Sequence, residues 1–350
     1  MSKEIARKLK MDVRPDKSAR CLSCHSLSVS PDRRGVTFKL DDGVSCGSCH
    51  GPASNWIGTH SLEDEAYRDS LKRGMKDIRN PVVQAETCLS CHLGNHAEGE
   101  VVDHVMLAAG HPPLTFEVNA FSRKLPPHWR EKRPTSEDDL PRAKLWAIGQ
   151  LVTLREALRL LAADGRFSRW PEVAHFECAS CHVNLTSASW RQLRPNPGRP
   201  GVPQWRFSGV SAVALQIAGN NDTLRSSLET LERGLVASPF GKTDELVADA
   251  DNAAVAVEQV IKQINNTPVS SDQARSWAID LCDLAESTAW RGHAAASQIH
   301  FGLAALLSEI SPSNSNIIRE LDHLADELQT EGDYDPRVFI KSIQSLRAKL

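Results

Sequence analysis

Residues 21–25 read CLSCH, and the same five-residue frame returns as CGSCH at 46–50, CLSCH at 88–92 and CASCH at 178–182. Each clip holds two cysteines separated by two residues and a histidine directly after the second. Eight of the nine cysteines fall in these clips. Cys282 stands alone in an apolar helical pattern, where a buried, inert thiol is expected. Four clips followed by four histidines require one explanation.

Cys-x-x-Cys-His is the attachment frame of c-type haem: the two thiols add to the porphyrin vinyl groups, and the adjacent imidazole reaches the iron as proximal ligand. The frame predicts haem c, covalently attached, at Cys21 and Cys24, Cys46 and Cys49, Cys88 and Cys91, and Cys178 and Cys181. The proximal ligands are then His25, His50, His92 and His182. Zinc ribbons also pair such clips, but four ligands per metal leave a histidine after every clip unexplained. A thioredoxin-like redox clip occurs once, after a strand. Disulfides inside the clips account for the even cysteine count and again not for the histidines. Aromatic residues make up only 5% of the chain. The first 125 residues, rich in Gly, Pro, Ser and Asp, have little with which to build a core, so large apolar cofactors are expected to serve as that core.

The sixth iron position decides between carrying electrons and binding a substrate. Beyond the four proximal residues, nine of the thirteen histidines remain. Internal methionines are few (Met11, Met75 and Met106), so distal ligation by histidine is the expectation, with lower potentials than His/Met ligation gives. The candidates are His60, in CHGPASNWIGTH; His104 and His111, in VDHVMLAAGHPPLTFE and near one face if 102–109 is helical; and His128, in LPPHW. For each, the alternative is a surface or hydrogen-bonded histidine. His96 and His175 lie close to clips and are weaker candidates. His293 and His300, seven apart on a helix in a region without clips, read as packed or surface residues.

The 350 residues are 41% hydrophobic and 24% charged with a formal charge of -3, the composition of an ordinary globular protein. No basic cluster marks a nucleic-acid surface. No apolar run is long enough to span a bilayer, and the basic start MSKEIARKLK has no apolar segment after it. Three regions are expected: a loop-rich three-haem segment over 1–125; a helix over 139–164 with the fourth clip and the Pro/Gly-rich loop WRQLRPNPGRPGVPQW over 126–209; and a haem-free helical bundle over 210–350. In the bundle, helical periodicity covers 242–266, 271–291, 293–310, 314–329 and 336–349, with SSDQ as an N-cap signal before Ala274. The fold class is mainly α.

The order CLSCH, DGVSCGSCHGPASNWIGTH, CLSCHLG resembles the cytochrome c-554 family of multihaem electron carriers, over about residues 18–95. VDHVMLAAGHPPLTFE, LPPHW and CASCHVNLTSASWRQ resemble a longer relative with an extra haem and a helical C-terminal part, which extends the likeness to about residue 205. The resemblance implies a further haem clip, a His-bearing helix and an export signal upstream. It therefore predicts that this chain is truncated, starts unusually or has lost that haem. In the family pattern the histidine matching His60 serves the upstream haem, and the haem at Cys46 and Cys49 takes its distal histidine from the missing segment. The same family pattern implies that the haem at Cys21, Cys24 and His25 has no distal protein ligand. Val183 departs from the second histidine that the longer relatives carry there.

The expected function is electron transfer between redox protein partners through four haems, in the periplasm or outside the cell, because haem c is attached outside the cytoplasm. The alternative is a haem enzyme acting on a small nitrogen or oxygen species at a five-coordinate iron. The bundle is expected to cover the fourth haem, form a homo-oligomer surface or dock into a redox complex.

Overall fold

The computed structural model describes residues 1–60, 67–126, 128, 139–182, 190 and 202–350. Val183 and most of the Pro/Gly-rich loop lie outside these residues. The chain is mainly α, and the described residues form no strand, only the isolated bridges Asn95 to Glu100 and Phe176 to Trp205. Two compact units divide it, Met1–Leu114 and Thr115–Leu350.

The first unit holds six short helices: α1 (Ser2–Lys8), α2 (Ala19–His25), α3 (Cys46–His50), α4 (Tyr67–Lys72), α5 (Pro81–His92) and α6 (His104–Ala109). Local capping chemistry sets their ends. The Asn80 side chain accepts from Val82 and Val83 N–H at the start of α5, where proline at the first helical position costs no hydrogen bond. Asp103 accepts from Met106 N–H to open α6. That helix is shorter than its periodicity suggests. Gly110 takes a left-handed φ of 106°, Gly110 N–H bonds Leu107 O, and His111 N–H bonds Met106 O. This is a Schellman closure, so His111 stands beyond the helix and does not share a helical face with His104. Among the described residues of this unit the buried apolar side chains are Ala6, Trp56, Ala85, Leu89, Met106 and Ala109.

The second unit contains α7 (Val118–Ser122), α8 (Pro141–Arg166), α9 (Cys178–Cys181), α10 (Ser208–Ala218), α11 (Asp222–Ala237), α12 (Thr243–Asn265), α13 (Ser271–Thr288), α14 (His293–Ile310), α15 (Ser315–Glu327) and α16 (Pro336–Arg347). The expected helix over 139–164 and the five C-terminal segments appear within a few residues of their sequence limits. Ser270 caps α13 by accepting from Gln273 N–H. Helices α10 and α11 were not singled out in the sequence.

Helix α8 is the centre of this unit. It packs chiefly on α12 and also meets α7, α10 and α14. Trp146, Ile148, Leu151, Leu154, Leu158 and Leu161 are fully buried along it. Two of its buried polar side chains pair across the unit: Gln150 Nε2 donates to Gln298 at 2.8 Å, and Arg155 reaches Glu258 at 2.6 Å, whereas Gln150 Oε1 and Trp146 Nε1 are buried without a hydrogen bond among the described residues. Its first N–H groups, on Arg142 and Ala143, donate to the Glu309 carboxylate of α14 at 3.2 and 2.8 Å, a favourable place for negative charge. Gly302 lets α14 approach closely: a Cβ there would stand 2.6 Å from Leu281 Cδ1 and 2.8 Å from Trp146 Cζ2.

No helix of the described residues is long and apolar enough to cross a membrane.

Two measurements test this packing. Gly302→Ala forces methyl volume against Trp146 and Leu281, and chemical denaturation is expected to show a loss of about 1–3 kcal/mol. Glu117, buried at the start of α7, accepts from Asn119 and Ala120 N–H, and burial pushes its carboxyl up from 4.5 to about 7. The native state thus holds the proton to higher pH than the unfolded chain. The stability from this group is complete below about pH 4.5 and is lost as pH rises through about 7, a change on the order of 3 kcal/mol. Glu117→Gln should flatten that part of the stability-against-pH curve; an unchanged slope would assign the titration elsewhere.

Candidate haem sites

Each clip lies on a helical turn. Clips one and two make up most of α2 and α3, clip three closes the longer α5, and clip four forms α9 with His182 just past its end. Residues i, i+3 and i+4 share one side of a helix. Cys21, Cys24 and His25 therefore point the same way, as do Cys46, Cys49 and His50, and Cys88, Cys91 and His92. At the fourth clip the helix supplies the two thiols, and His182 leaves it with ψ 73°. No disulfide joins the nine cysteines; those of the clips are half-buried or exposed and Cys282 is buried. Two thiols one turn apart beside an imidazole suit a flat group held by two sulfur bonds and one iron bond. Among the described residues no group of three or more His, Cys, Asp or Glu is arranged to hold a metal ion by itself, as a zinc ribbon requires.

Within Met1–Leu114 the clips converge. Cys91 is hydrogen-bonded to Cys24, which lowers the Cys24 thiol and raises that of Cys91. Burial pushes Cys88 up to about 11, with the nearby Cys49 adding to the shift. Burial also lowers His92, with a smaller contribution from His25. Clip three thus neighbours both of the others. Glu100 lies against it, paired with Ser90 and accepting from Cys91 Sγ at 3.3 Å. The clip-one helix is tied to the same region through Arg20, which donates to both Asp103 oxygens at 2.9 and 2.7 Å, and through Ser23 Oγ, which donates to Gly99 O at 3.2 Å.

Hydrogen bonding sorts the remaining histidines. A carbonyl only accepts, so a ring nitrogen that bonds one carries the proton and leaves the other nitrogen with its lone pair. His60 Nδ1 donates to Ile57 O at 2.6 Å, His111 Nδ1 to Pro112 O at 2.9 Å and His128 Nδ1 to Pro126 O at 3.1 Å. In His60 and His111 this places the lone pair on Nε2. His293 uses Nε2 on Leu328 O at 2.9 Å, and His175 uses Nε2 on the buried Asp164 at 2.7 Å. His323 pairs with Glu327, and burial pushes His300 down to about 4. His104 is the first residue of α6, and His96 is half-buried in the turn after clip three. Two rings fall into place around these groups. His111 lies edge-on to His25 with centroids 6.4 Å apart, and Trp56 stands between His50 (6.2 Å) and His60 (5.6 Å).

The fourth clip is held from two sides. Glu177 N–H donates to Gln204 O and Arg206 N–H to His175 O, both at 2.8 Å, while Gln204 N–H donates to Ser180 Oγ at 3.1 Å. Behind them Asp164, at the end of α8, accepts from Arg169 at 2.9 Å and contacts His175. On the bundle side, Glu331 is near enough to contribute to the raised Cys178 thiol, and Glu177 faces Gly292. Trp190 Nε1 donates to Tyr334 O at 2.7 Å, with the Trp290 and Tyr334 rings around it and His293 against Tyr334. Sequence reasoning missed this cluster and the Asp164 contact. Their members lie far apart in the chain, and only the closeness of Trp190 to the clip hinted at a role.

A thiol pair with its following imidazole is presented four times by helical turns in this mainly α chain, the pattern by which c-type cytochromes attach haem. The family described as cytochrome c554 and c-prime matches residues 1–51, which contain the first two clips. A stretch of 133 residues is 30% identical to cytochrome c-554 of Nitrosomonas europaea, covering 34% of this chain and 53% of that protein. The chain thus spans about half the length of that curated relative. No solved structure matches. The N-terminal part of the chain is thus similar to cytochrome c554.

Asp164→Asn weakens the buried pair behind the fourth clip. Thermal unfolding should show a loss of about 1–3 kcal/mol with the haem content unchanged; a loss of haem would mean that Asp164 also governs attachment.

Proposed function

We propose that the chain is a multihaem cytochrome that holds four haems c and passes electrons one at a time between redox protein partners. The attachment residues are Cys21 and Cys24, Cys46 and Cys49, Cys88 and Cys91, and Cys178 and Cys181. His25, His50, His92 and His182 are the proximal ligands, and the distal ligands come from His60, His104, His111 and His128. The convergence of three clips in the first unit supports this reading, with clip three beside both of the others. A bound haem supplies a one-electron couple whose potential depends on axial ligands, nearby charge and burial.

The protein's own groups do the positioning. Short helices fix each thiol pair, Nδ1–H bonds to carbonyls fix the imidazole tautomers, and the Glu100 carboxylate places negative charge beside clip three, which favours the oxidised form. The location is periplasmic or extracellular. The bundle face of the second unit is the surface for a redox partner, a larger complex or a second copy.

The test uses the full chain made in a host with c-type maturation. Four haems per chain by pyridine haemochromogen, retained after denaturation, and several one-electron steps in a redox titration are expected. The variant Cys88→Ala/Cys91→Ala should lower the count to three and slow equilibration among the rest. A protein without covalent haem would end this reading. Rapid turnover of nitrite, hydroxylamine or peroxide with carbon monoxide bound to reduced iron would replace the carrier by an enzyme.

A further inference from the structure

We propose that His111 is the distal ligand of the haem attached at Cys21 and Cys24, so that the iron held by His25 is six-coordinate. This assignment rests on the haem reading above and departs from the family pattern, in which that position has no protein ligand.

Three observations carry it. The first is distance. A nitrogen-to-metal bond is about 2.0–2.1 Å long, so imidazoles on opposite sides of one metal have ring centres about 6 Å apart; those of His25 and His111 are 6.4 Å apart. The second is tautomer: His111 Nδ1 donates to Pro112 O at 2.9 Å, which leaves Nε2 with the lone pair that ligation needs. The third is placement. The Arg20 to Asp103 pair and the Ser23 to Gly99 bond join the clip-one helix to the start of α6, and Gly110 ends α6 one residue before His111. His111 is thus delivered by a short, capped element tied to the same helix that carries His25. The two residues are 86 apart in the chain, and no local pattern pairs them.

The test reads coordination on the full matured chain, by electron paramagnetic resonance of the oxidised protein and carbon monoxide binding to the reduced one. His111→Ala should keep four haems and convert one from low-spin to high-spin, adding one carbon monoxide site per chain. His111→Met should keep that haem low-spin and move one couple to higher potential, since His/Met ligation raises it. This second variant decides the question if the alanine protein does not accumulate. In a Cys21→Ala/Cys24→Ala background, which holds three haems, His111→Ala should add no high-spin signal.

A His111→Ala protein with four haems and unchanged spin states, or a His111→Met protein with unmoved potentials, would overturn the assignment while leaving the carrier reading intact. A high-spin signal that persists without clip one would give His111 to another haem. Loss of covalent haem from the unsubstituted protein would instead remove the reading on which the assignment rests.

Discussion

Burial of apolar surface, which offsets the conformational entropy lost on folding, is distributed very unevenly along this chain. Thr115–Leu350 has a continuous side-chain core around α8, with Leu and Ile from α11, α12 and α14 closing over it. Among its described residues Met1–Leu114 buries only six apolar side chains, three of them Ala. A unit of that size with so little buried side-chain surface needs another source of cohesion. On the proposed function, porphyrin rings bonded to the three clips would be such a source. The covalent bonds then fix the fold as well as the cofactor.

The arrangement of clips follows from this. Single-turn helices such as α3 have no independent stability, but they need only hold two sulfurs and an imidazole on one side. The loops between them are free to take the shapes that bring the clips together, helped by polar ties such as Arg20 to Asp103. An ion pair this exposed contributes little energy. Its value is geometric, because it fixes which end of α6 meets the clip-one helix.

Much of this was legible in the sequence. The clips needed only their spacing, and the C-terminal helices only their periodicity and breakers. What escaped reading was non-local or set by a single backbone angle. His104 and His111 looked like partners on one helix, yet the left-handed Gly110 separates them. The buried Asp164 to His175 pair joins the end of one helix to a turn before the fourth clip, and Trp190 meets Tyr334 across 144 residues. Helix α11 is amphipathic, with Leu224, Leu228, Leu231 and Leu235 buried at helical spacing, a pattern that the sequence reading passed over. Pairings of this kind depend on tertiary packing, which leaves no period in the chain.

The lengths of the clip helices also imply an order of assembly. Helices α2 and α3 run seven and five residues, while α5 runs twelve. In a newly made chain only α5 approaches a length that can persist alone. The first two clips would remain open and within reach of the attachment machinery until their rings are in place. The fourth clip differs. It belongs to a unit whose side chains close without help, and its thiols stay accessible after closure because Cys178 and Cys181 lie at the surface. On the proposed function, one polypeptide would combine a part that matures by acquiring its cofactors with a part that is ready to receive one.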